Sequence, residues 1–515
     1  MDTELTGTQN TVATSLELGT SSLRAATVGQ DLSNRISTGI PELDDIMWGG
    51  YISRRSYVVR GDPGAGKTTV GLHFLAAGAL RSEITLYITV GEPEEQIRMN
   101  ATSIGLRLNN VAFLDLSTNT EFLSEMERYS SPQLQEEANP LSITERIIQQ
   151  IRVLKPQRVF LDSMTQLRMI SPDSFQMRKQ VLEFLRFLIE QEATVLFTSE
   201  MSDDSSQNDL QVICDGVINL HNAERGRTIS ISKFRGSDFI AGEHDMQLSS
   251  TGLHVFPHLM PEIQHVDFGN ETATSGISEL DEMLHGGLAC GTITIITGPS
   301  GVGKTTLGLQ FMKEMAGKGE HSIVYLFEEW EHVLIKRCES LNIPICKMIE
   351  QRTLSINQIE AKRYRPDEFA YRVRRDIEAT QTSIVMIDSV VGYRLSAHVA
   401  DLVGHLHALC KYLQGKGIAV LLINELEAIT SNEFRATELG ISYMADNLIF
   451  LRYFEQEGEL HKAIGVLKKR TTDIERTMRE IEITRDGLKI GQPLTELQDI
   501  LRVPHLTKRE QSNML

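Results

Sequence analysis

The sequence predicts an α/β protein built from two copies of one domain, each a mostly parallel sheet flanked by helices. Residues 35–76 and 272–313 are similar over their whole length, and Gly61 and Gly298 occupy matching places 237 residues apart. In both copies, short apolar runs alternate with helical patterns, which is typical of parallel strands buried on both faces. One domain of about 230 residues is therefore duplicated.

The borders of the two copies follow from composition. Residues 1–30 are rich in Thr, Ser and Gly without apolar periodicity, which predicts a disordered N-terminal extension. The first domain is predicted over residues 31–263 and the second over residues 264–490. Residues 491–515 are assigned to a C-terminal tail, which is either a mobile tail or a docking segment.

Each copy contains four runs that predict buried strands. In the first copy they are SYVVRG (56–61), TLYITV (85–90), VFLDS (159–163) and TVLFTS (194–199). Their counterparts are ITIITG (293–298), IVYLFE (323–328), IVMIDS (384–389) and AVLLIN (419–424).

The first strand of each copy leads into a glycine loop of the pattern GxxxxGK[ST]. Such loops turn backbone N–H groups around phosphates, the lysine reaches the β and γ oxygens, and the threonine hydroxyl ligates Mg²⁺. The helix that follows adds its positive N-terminal end. A chance match is the alternative, and the repetition of strand, loop and helix argues against it. The assigned residues are Gly61, Gly64, Gly66, Lys67, Thr68 and Thr69, and Gly298, Gly301, Gly303, Lys304, Thr305 and Thr306.

Asp162 and Asp388 each close an apolar strand, in VFLD and VMID. A carboxylate in this place holds the water shell of Mg²⁺ in nucleotide-hydrolysing proteins. The alternative is an aspartate that caps the next turn.

Glu328 and Glu329 end the run IVYLF, where a carboxylate can deprotonate the oxygen that attacks a γ-phosphate. The first copy has Gly91-Glu92 instead, so Glu92 is its only candidate. The alternative is that these acids favour a helix N-terminus through the dipole.

A Lys-x-Arg triplet follows an apolar run late in each copy. Residues two apart on a strand face the same side, so each pair of cations points one way. Such a pair suits a trans-acting arginine finger that completes a neighbour's site, and a solvated pair on an edge strand is the alternative. The triplets are Lys233-Phe234-Arg235 and Lys468-Lys469-Arg470.

These features together resemble the KaiC family of RecA-like P-loop ATPases. The likeness covers about residues 31–490 and includes GIPELDDIMWGG, GISELDEMLHGG and ELGISYMADNLIFLRYFE. It implies tandem RecA-like domains, a two-ring homohexamer with Mg²⁺ and ATP at the subunit interfaces, and slow hydrolysis in the first ring. It also implies autophosphorylation on serine or threonine in the second ring, a role in timekeeping, and Kai-type or other signalling partners.

The resemblance assigns roles by position. In both sites it implies ATP contacts for the P-loop residues and for the Lys-x-Arg triplet, with Ser103 near the adenosine of the first site. In the second site it implies that Glu328 is the general base and a Mg²⁺ contact. The metal contacts implied are Thr68, Thr305 and Glu328.

Two departures from the family stand out. Where the clock proteins have adjacent serine and threonine acceptors, this chain has Ser442-Tyr443, so Ser442 is the predicted phosphoacceptor. Thr437 is a second hydroxyl nearby, and an ordinary turn serine is the alternative for Ser442. Gly91 replaces the first glutamate of the pair, which predicts weaker hydrolysis in the first ring.

Composition limits the partners. The formal net charge of −18 opposes a polyanion, so we expect no nucleic-acid partner. No apolar run reaches the length of a transmembrane helix. The start Met-Asp-Thr-Glu lacks signal-peptide character, and five scattered cysteines fit a reducing compartment, so a cytoplasmic protein is expected. Three functional hypotheses follow from the sequence. The leading hypothesis is an ATPase and autokinase, the second is an ATP-dependent hexameric scaffold, and the third is a RecA-like ATPase that acts on DNA.

Overall fold

The structure is a computed structural model with two compact units, residues 1–258 and 259–515. It describes residues 34–118, 141–164, 174–200, 211–223, 226–259, 271–360, 364–397, 402–426, 440–470 and 474–495. The predicted N-terminal extension and Thr437 lie outside the described residues.

The first unit alternates strands and helices and then ends in four strands. Its strands are β1 (Arg35–Ile36), β2 (Tyr51–Ile52), β3 (Ser56–Gly61), β4 (Thr85–Thr89), β5 (Val111–Asp115), β6 (Arg158–Asp162), β7 (Thr194–Glu200), β8 (Gly216–Ala223), β9 (Gly226–Phe234), β10 (Glu243–Ser249) and β11 (Gly252–Phe256). Its described helices are α1 (Pro41–Ile46), α2 (Lys67–Leu80), α3 (Glu94–Ser103), α4 (Leu141–Leu154) and α5 (Ser174–Glu190).

The second unit repeats this order. Its strands are β12 (Thr272–Ala273), β13 (Leu288–Ala289), β14 (Ile293–Gly298), β15 (His321–Leu326), β16 (Leu354–Gln358), β17 (Thr382–Asp388), β18 (Ala419–Glu425), β19 (Asn447–Gln456), β20 (Glu459–Lys469), β21 (Arg479–Thr484) and β22 (Gly487–Pro493). Its described helices are α6 (Ser278–Met283), α7 (Lys304–Gly317), α8 (Glu331–Glu339), α9 (Ile345–Glu350), α10 (Pro366–Thr380), α11 (Val390–Ala397) and α12 (Leu402–Gly415). A single 3₁₀ turn, Ile441–Tyr443, precedes β19.

Both units contain a nine-stranded sheet of the same topology. The orders are β11-β10-β9-β8-β3-β7-β6-β4-β5 and β16-β15-β17-β18-β14-β19-β20-β21-β22. Six strands of each sheet are parallel, and three more add an antiparallel extension. The predicted duplicated α/β fold is confirmed. The final strand runs to Pro493, so residues 491–493, which the sequence analysis counted as tail, are in the sheet.

The central strand of each sheet is buried at every residue, and the helix after it packs very closely on the next strand but one, β6 or β17. A Cβ at Gly71 of α2 would lie 2.1 Å from the ring of Phe160, and one at Gly308 of α7 would lie 2.5 Å from the sulfur of Met386. Only glycine permits this approach, which fixes the start of each helix against the sheet. Among the described residues, no helix is both long and apolar enough to cross a membrane.

His73 of α2 is buried and ties together two distant parts of the first unit. Its Nδ1 lies 3.2 Å from the carbonyl of Gly39, and the amide of Leu253 donates to its Nε2 at 3.0 Å. Since Nε2 accepts, Nδ1 carries the proton and the ring is neutral. Burial lowers the pKa of His73 to about 4.

We expect this neutral histidine to make the first domain sensitive to acid. The unfolded chain takes up a proton below a pKa of about 6.5 and the folded domain only near 4, so stability present at neutral pH is lost as the pH falls through this window. Between pH 7 and pH 5 the loss is about 2 kcal/mol. Replacing His73 by Gln, the residue at the matching position 310, should remove it, as measured by urea unfolding of the first domain at both pH values.

The control for this prediction is His332→Gln, which changes an exposed histidine of the second unit. This variant should keep the pH dependence of the wild-type first domain. An unchanged loss of stability in His73→Gln would contradict the prediction.

Candidate nucleotide sites

Both glycine loops lie where the sequence places them, between a central strand and a helix. Gly66 and Gly303 precede α2 and α7 with φ angles of 107° and 114°, which residues other than glycine rarely adopt. Lys67 donates from Nζ to the carbonyls of Gly61 and Asp62 at 2.8 and 3.1 Å. Lys304 makes the same two bonds to the carbonyls of Gly298 and Pro299, at 2.9 and 2.8 Å. Each ammonium group therefore lies across its own loop.

The strand-end aspartates meet the threonines of the loops. The hydroxyl of Thr68 donates to Asp162 at 2.7 Å, and that of Thr305 donates to Asp388 at 2.6 Å. A threonine hydroxyl beside a carboxylate at a helix start offers the hard oxygen donors that Mg²⁺ prefers. The predicted pairing of loop and strand-end aspartate is thus present in both units. Thr69 is half-buried and Thr306 buried.

The second site concentrates carboxylates around a buried lysine. Burial lowers the pKa of Lys304, and the carboxylates of Glu425, Asp388 and Glu328 partly oppose this. Burial raises the pKa of Asp388 to about 6, which the hydrogen bond from Thr305 partly opposes.

Two further carboxylates lie at the end of the sheet that carries the glycine loop, one in each unit, and were not predicted from the sequence. Glu200 and Glu425 end β7 and β18 and pair with the last residue of the central strand, Gly61 and Gly298. Both favour the charged form of the loop lysine. The signal was present, because each follows directly after a run that the analysis identified as a strand.

The two glutamates after β15 have different surroundings. Glu329 accepts a hydrogen bond from Arg337 at 2.7 Å in a half-buried ion pair. Glu328 is exposed and lies over the start of α11, where a Cβ at Gly392 would be 3.4 Å from its Oε1. The charge of Glu328 acts on the loop lysine, whereas the charge of Glu329 acts on the strand-end aspartate.

Strand register shows which residue of the first unit matches Glu328. Thr89 pairs with Asp162 as Leu326 pairs with Asp388. Counting forward from these pairs, Gly91 matches Glu328 and Glu92 matches Glu329. The first site has no carboxylate at the position of Glu328.

The Lys-x-Arg cations lie at the end of the sheet away from their own loop. Lys468 and Arg470 neighbour Asp446, whose carboxylate binds the amide of Ile293 at the start of β14, whereas the loop follows Gly298. Five residues of strand separate these ends, about 16 Å. The same holds for Lys233 and Arg235, which lie near Asp215 at the start of β3.

These cations bind a turn of their own unit. Lys468 donates to the carbonyl of Ser442 at 3.3 Å and of Ala445 at 2.6 Å, and Arg470 donates to that of Tyr443 at 2.9 Å. In the first unit, Lys233 and Arg235 bind the carbonyls of Gln211 and Val212 in the same way. Ser442 is half-buried in its 3₁₀ turn, and Tyr443 is 54% exposed.

The middle residue of each triplet points elsewhere. Lys469 donates to the carbonyls of Leu284 and Gly287 at the end of α6. Phe234 is buried, and Arg35, whose guanidinium lies over its ring, binds the matching carbonyls of Met47 and Gly50. The side chains of Lys469 and Phe234 therefore contact a different part of their unit from the cations on either side.

Ser103 lies at the end of α3. Its hydroxyl donates to the carbonyl of Asn100 at 2.7 Å.

Two P-loops, each with a strand-end aspartate on a mostly parallel sheet, define a tandem RecA-like ATPase. A sequence model of the KaiC ATPase matches residues 36–260 and 273–495, and the chain belongs to this family.

Among its relatives is the circadian clock oscillator protein KaiC of Parasynechococcus marenigrum (strain WH8102), 27% identical over 498 residues, which cover 93% of this chain and 95% of the relative. The circadian clock protein KaiC3 of Synechocystis sp. (strain ATCC 27184 / PCC 6803 / Kazusa) is 25% identical over 482 residues, covering 91% and 94%. KaiC of Synechococcus elongatus (strain ATCC 33912 / PCC 7942 / FACHB-805) is 26% identical over 483 residues, covering 91% of both.

Proposed function

We propose that this KaiC-family ATPase is a homohexameric autokinase, which transfers the γ-phosphate of ATP to Ser442 across the interface between neighbouring subunits. The observation that supports it best is the position of Ser442. The cations at Lys468 and Arg470 hold its turn at the sheet end away from the loop of the same unit. Acceptor and cations together lie away from the loop of their own unit, which supports transfer from the loop of another copy.

The chemical step follows from the residues at the second site. The Ser442 oxygen of one subunit bonds to the γ-phosphorus while the bond to the β-phosphate oxygen of ATP breaks and ADP leaves. Glu328 of the next subunit takes the hydroxyl proton. Lys304 and the loop amides hold the phosphates, and Arg470 stabilises the charge that develops on the transferred group.

Thr305 and Asp388, which are hydrogen-bonded to each other, would hold a Mg²⁺ ion in the second site together with Glu328. The ion would supply charge neutralisation on the β and γ oxygens. In the first site, Thr68 and Asp162 are the corresponding pair.

Intact-mass spectrometry after incubation with Mg·ATP tests this proposal. We expect one added phosphate per chain, mapped to Ser442 and absent from Ser442→Ala. Tyr443→Phe is the matched control, because it removes the neighbouring exposed phenol and keeps the serine.

Two outcomes would contradict the proposal. Phosphate on another residue would show that Ser442 is not the acceptor. Stable rings with bound ATP but no phosphate after many hours would leave an ATP-dependent scaffold. Signalling through the phosphorylation state, in a clock or a related cytoplasmic pathway with Kai-type or other partners, depends on phosphate transfer to Ser442.

A further inference from the structure

The aspartate of the first site is held by three hydroxyl groups from three different elements. Thr68 of α2 and Tyr87 of β4 donate to Oδ2 of Asp162 at 2.7 and 3.1 Å. Thr198 of β7 donates to Oδ1 at 2.5 Å. Both oxygens of the carboxylate are therefore bound, and its plane is fixed.

The second site lacks two of these donors. Strand register matches Tyr87 with Val324 and Thr198 with Ile423. Within the described part of the chain, Thr305 is the one side chain that donates to Asp388. The extra hydroxyls are therefore a property of the first site and not of the duplicated fold.

Tyr87 is itself held rigidly. It is 1% exposed, stacked on Phe113 with ring centroids 5.1 Å apart, and in edge contact with Phe160 at 5.0 Å. The guanidinium of Arg98 covers Phe113 at 4.3 Å. A phenol clamped in this way can move little, so its hydroxyl constrains the carboxylate that it contacts.

The three positions of this aromatic stack hold aliphatic side chains in the second unit. The residues that match Tyr87, Phe113 and Phe160 in strand register are Val324, Ile356 and Met386.

The first site also lacks a carboxylate at the position of Glu328, where Gly91 stands. A fixed Mg²⁺-binding carboxylate without a base at this position favours holding a nucleotide over hydrolysing it. We propose that the first site is a nucleotide-retaining site, in which Tyr87 and Thr198 are positioning residues that orient Asp162 toward Mg²⁺. This inference rests on the proposed binding of Mg²⁺ and ATP.

The test measures ADP binding to the full chain carrying Lys304→Ala, so that the first site gives the signal. Titrations are made with excess Mg²⁺ and with a chelator. Tyr87→Phe removes one hydroxyl and keeps the ring stack, and we expect it to raise the Kd in Mg²⁺ by about 10–100-fold. The Kd in chelator should stay the same, which a merely structural role of Tyr87 would not predict.

The matched control is Tyr57→Phe, another buried phenol of the same sheet, whose hydroxyl bonds, among the described residues, only to the backbone of Ile52. It should leave both Kd values unchanged. Thr198→Val should act like Tyr87→Phe. A Kd in Mg²⁺ within twofold of the parent in Tyr87→Phe, an equal loss in chelator, or no Mg²⁺-dependent binding by the parent would overturn the proposal.

The rate of ATP hydrolysis at the first site gives a second test. In the same background, Gly91→Glu adds a carboxylate that can take the proton of an attacking water as its oxygen bonds to the γ-phosphorus and ADP leaves. We expect ATP hydrolysis to rise by at least about 10²-fold. A parent that already hydrolyses ATP as fast as Gly91→Glu would contradict a retaining site. Neither measurement reads phosphate on Ser442, so failure of the autokinase would be seen separately.

Discussion

Replacing Lys468 and Arg470 together by alanine is expected to lower phosphate transfer to Ser442 by about 10³–10⁵-fold, the range found for trans arginine fingers. The cations lie at the opposite end of β14 from their own loop, about 16 Å along the strand, so the loss should arise at the neighbour's site. The rate of phosphate incorporation, followed by intact mass, gives the measurement. Lys411→Ala with Lys416→Ala, two exposed cations of the same unit, is the control for net charge.

Mixed rings distinguish this loss from damage to the acceptor turn, which the same cations bind. A Lys304→Ala subunit has no working second loop but keeps Ser442 and both cations. The double-alanine subunit keeps its loop and Glu328. Each is expected to be inactive alone, and in an equal mixture about a quarter of the interfaces should be productive. Phosphate should then appear only on the Lys304→Ala chain. If mixing restores no phosphate transfer, the assignment of the cations to the neighbour's site is wrong.

Glu328→Gln is expected to lower phosphate transfer by about 10²–10⁴-fold, the usual contribution of a general base. The amide keeps the size of the side chain and cannot take the serine proton. ATP binding, measured in parallel, should change little. Single-turnover transfer of γ-labelled phosphate gives the rate.

Glu329→Gln is the matched change for this prediction. Its carboxylate is bound to Arg337 at 2.7 Å, and the amide oxygen can still accept that bond. We expect a loss smaller than about tenfold, as for a partly exposed ion pair. Equal losses in the two variants would contradict the assignment of the base to Glu328.

Local motifs carried most of the correct predictions. The P-loops, Asp162, Asp388 and the duplicated α/β fold were predicted because each depends on residues close together in the chain. The family resemblance added the prediction that Ser442 is the acceptor, which the experiment with Ser442→Ala tests. Its roles for the P-loop lysines and for Glu328 stay predictions that the experiments above address.

Other features could not be predicted, because they depend on which strands become neighbours. The antiparallel extension β20–β22 has no motif of its own. Lys469 stands between two cations in sequence, yet its ammonium group binds the turn after α6, 182 residues away at Gly287. The alternation of side chains along a strand predicts that Lys468 and Arg470 point the same way, but it does not predict what the side chain of Lys469 between them contacts.

The sequence by itself determined two P-loop domains and the replacement of a glutamate by Gly91. Only the tertiary structure decided that the two sites differ further, at Asp162. Tyr87 and Thr198 reach this aspartate from strands 75 and 36 residues away. Such contacts follow from strand order and register, which bring side chains together at one edge of the sheet whatever their distance along the chain.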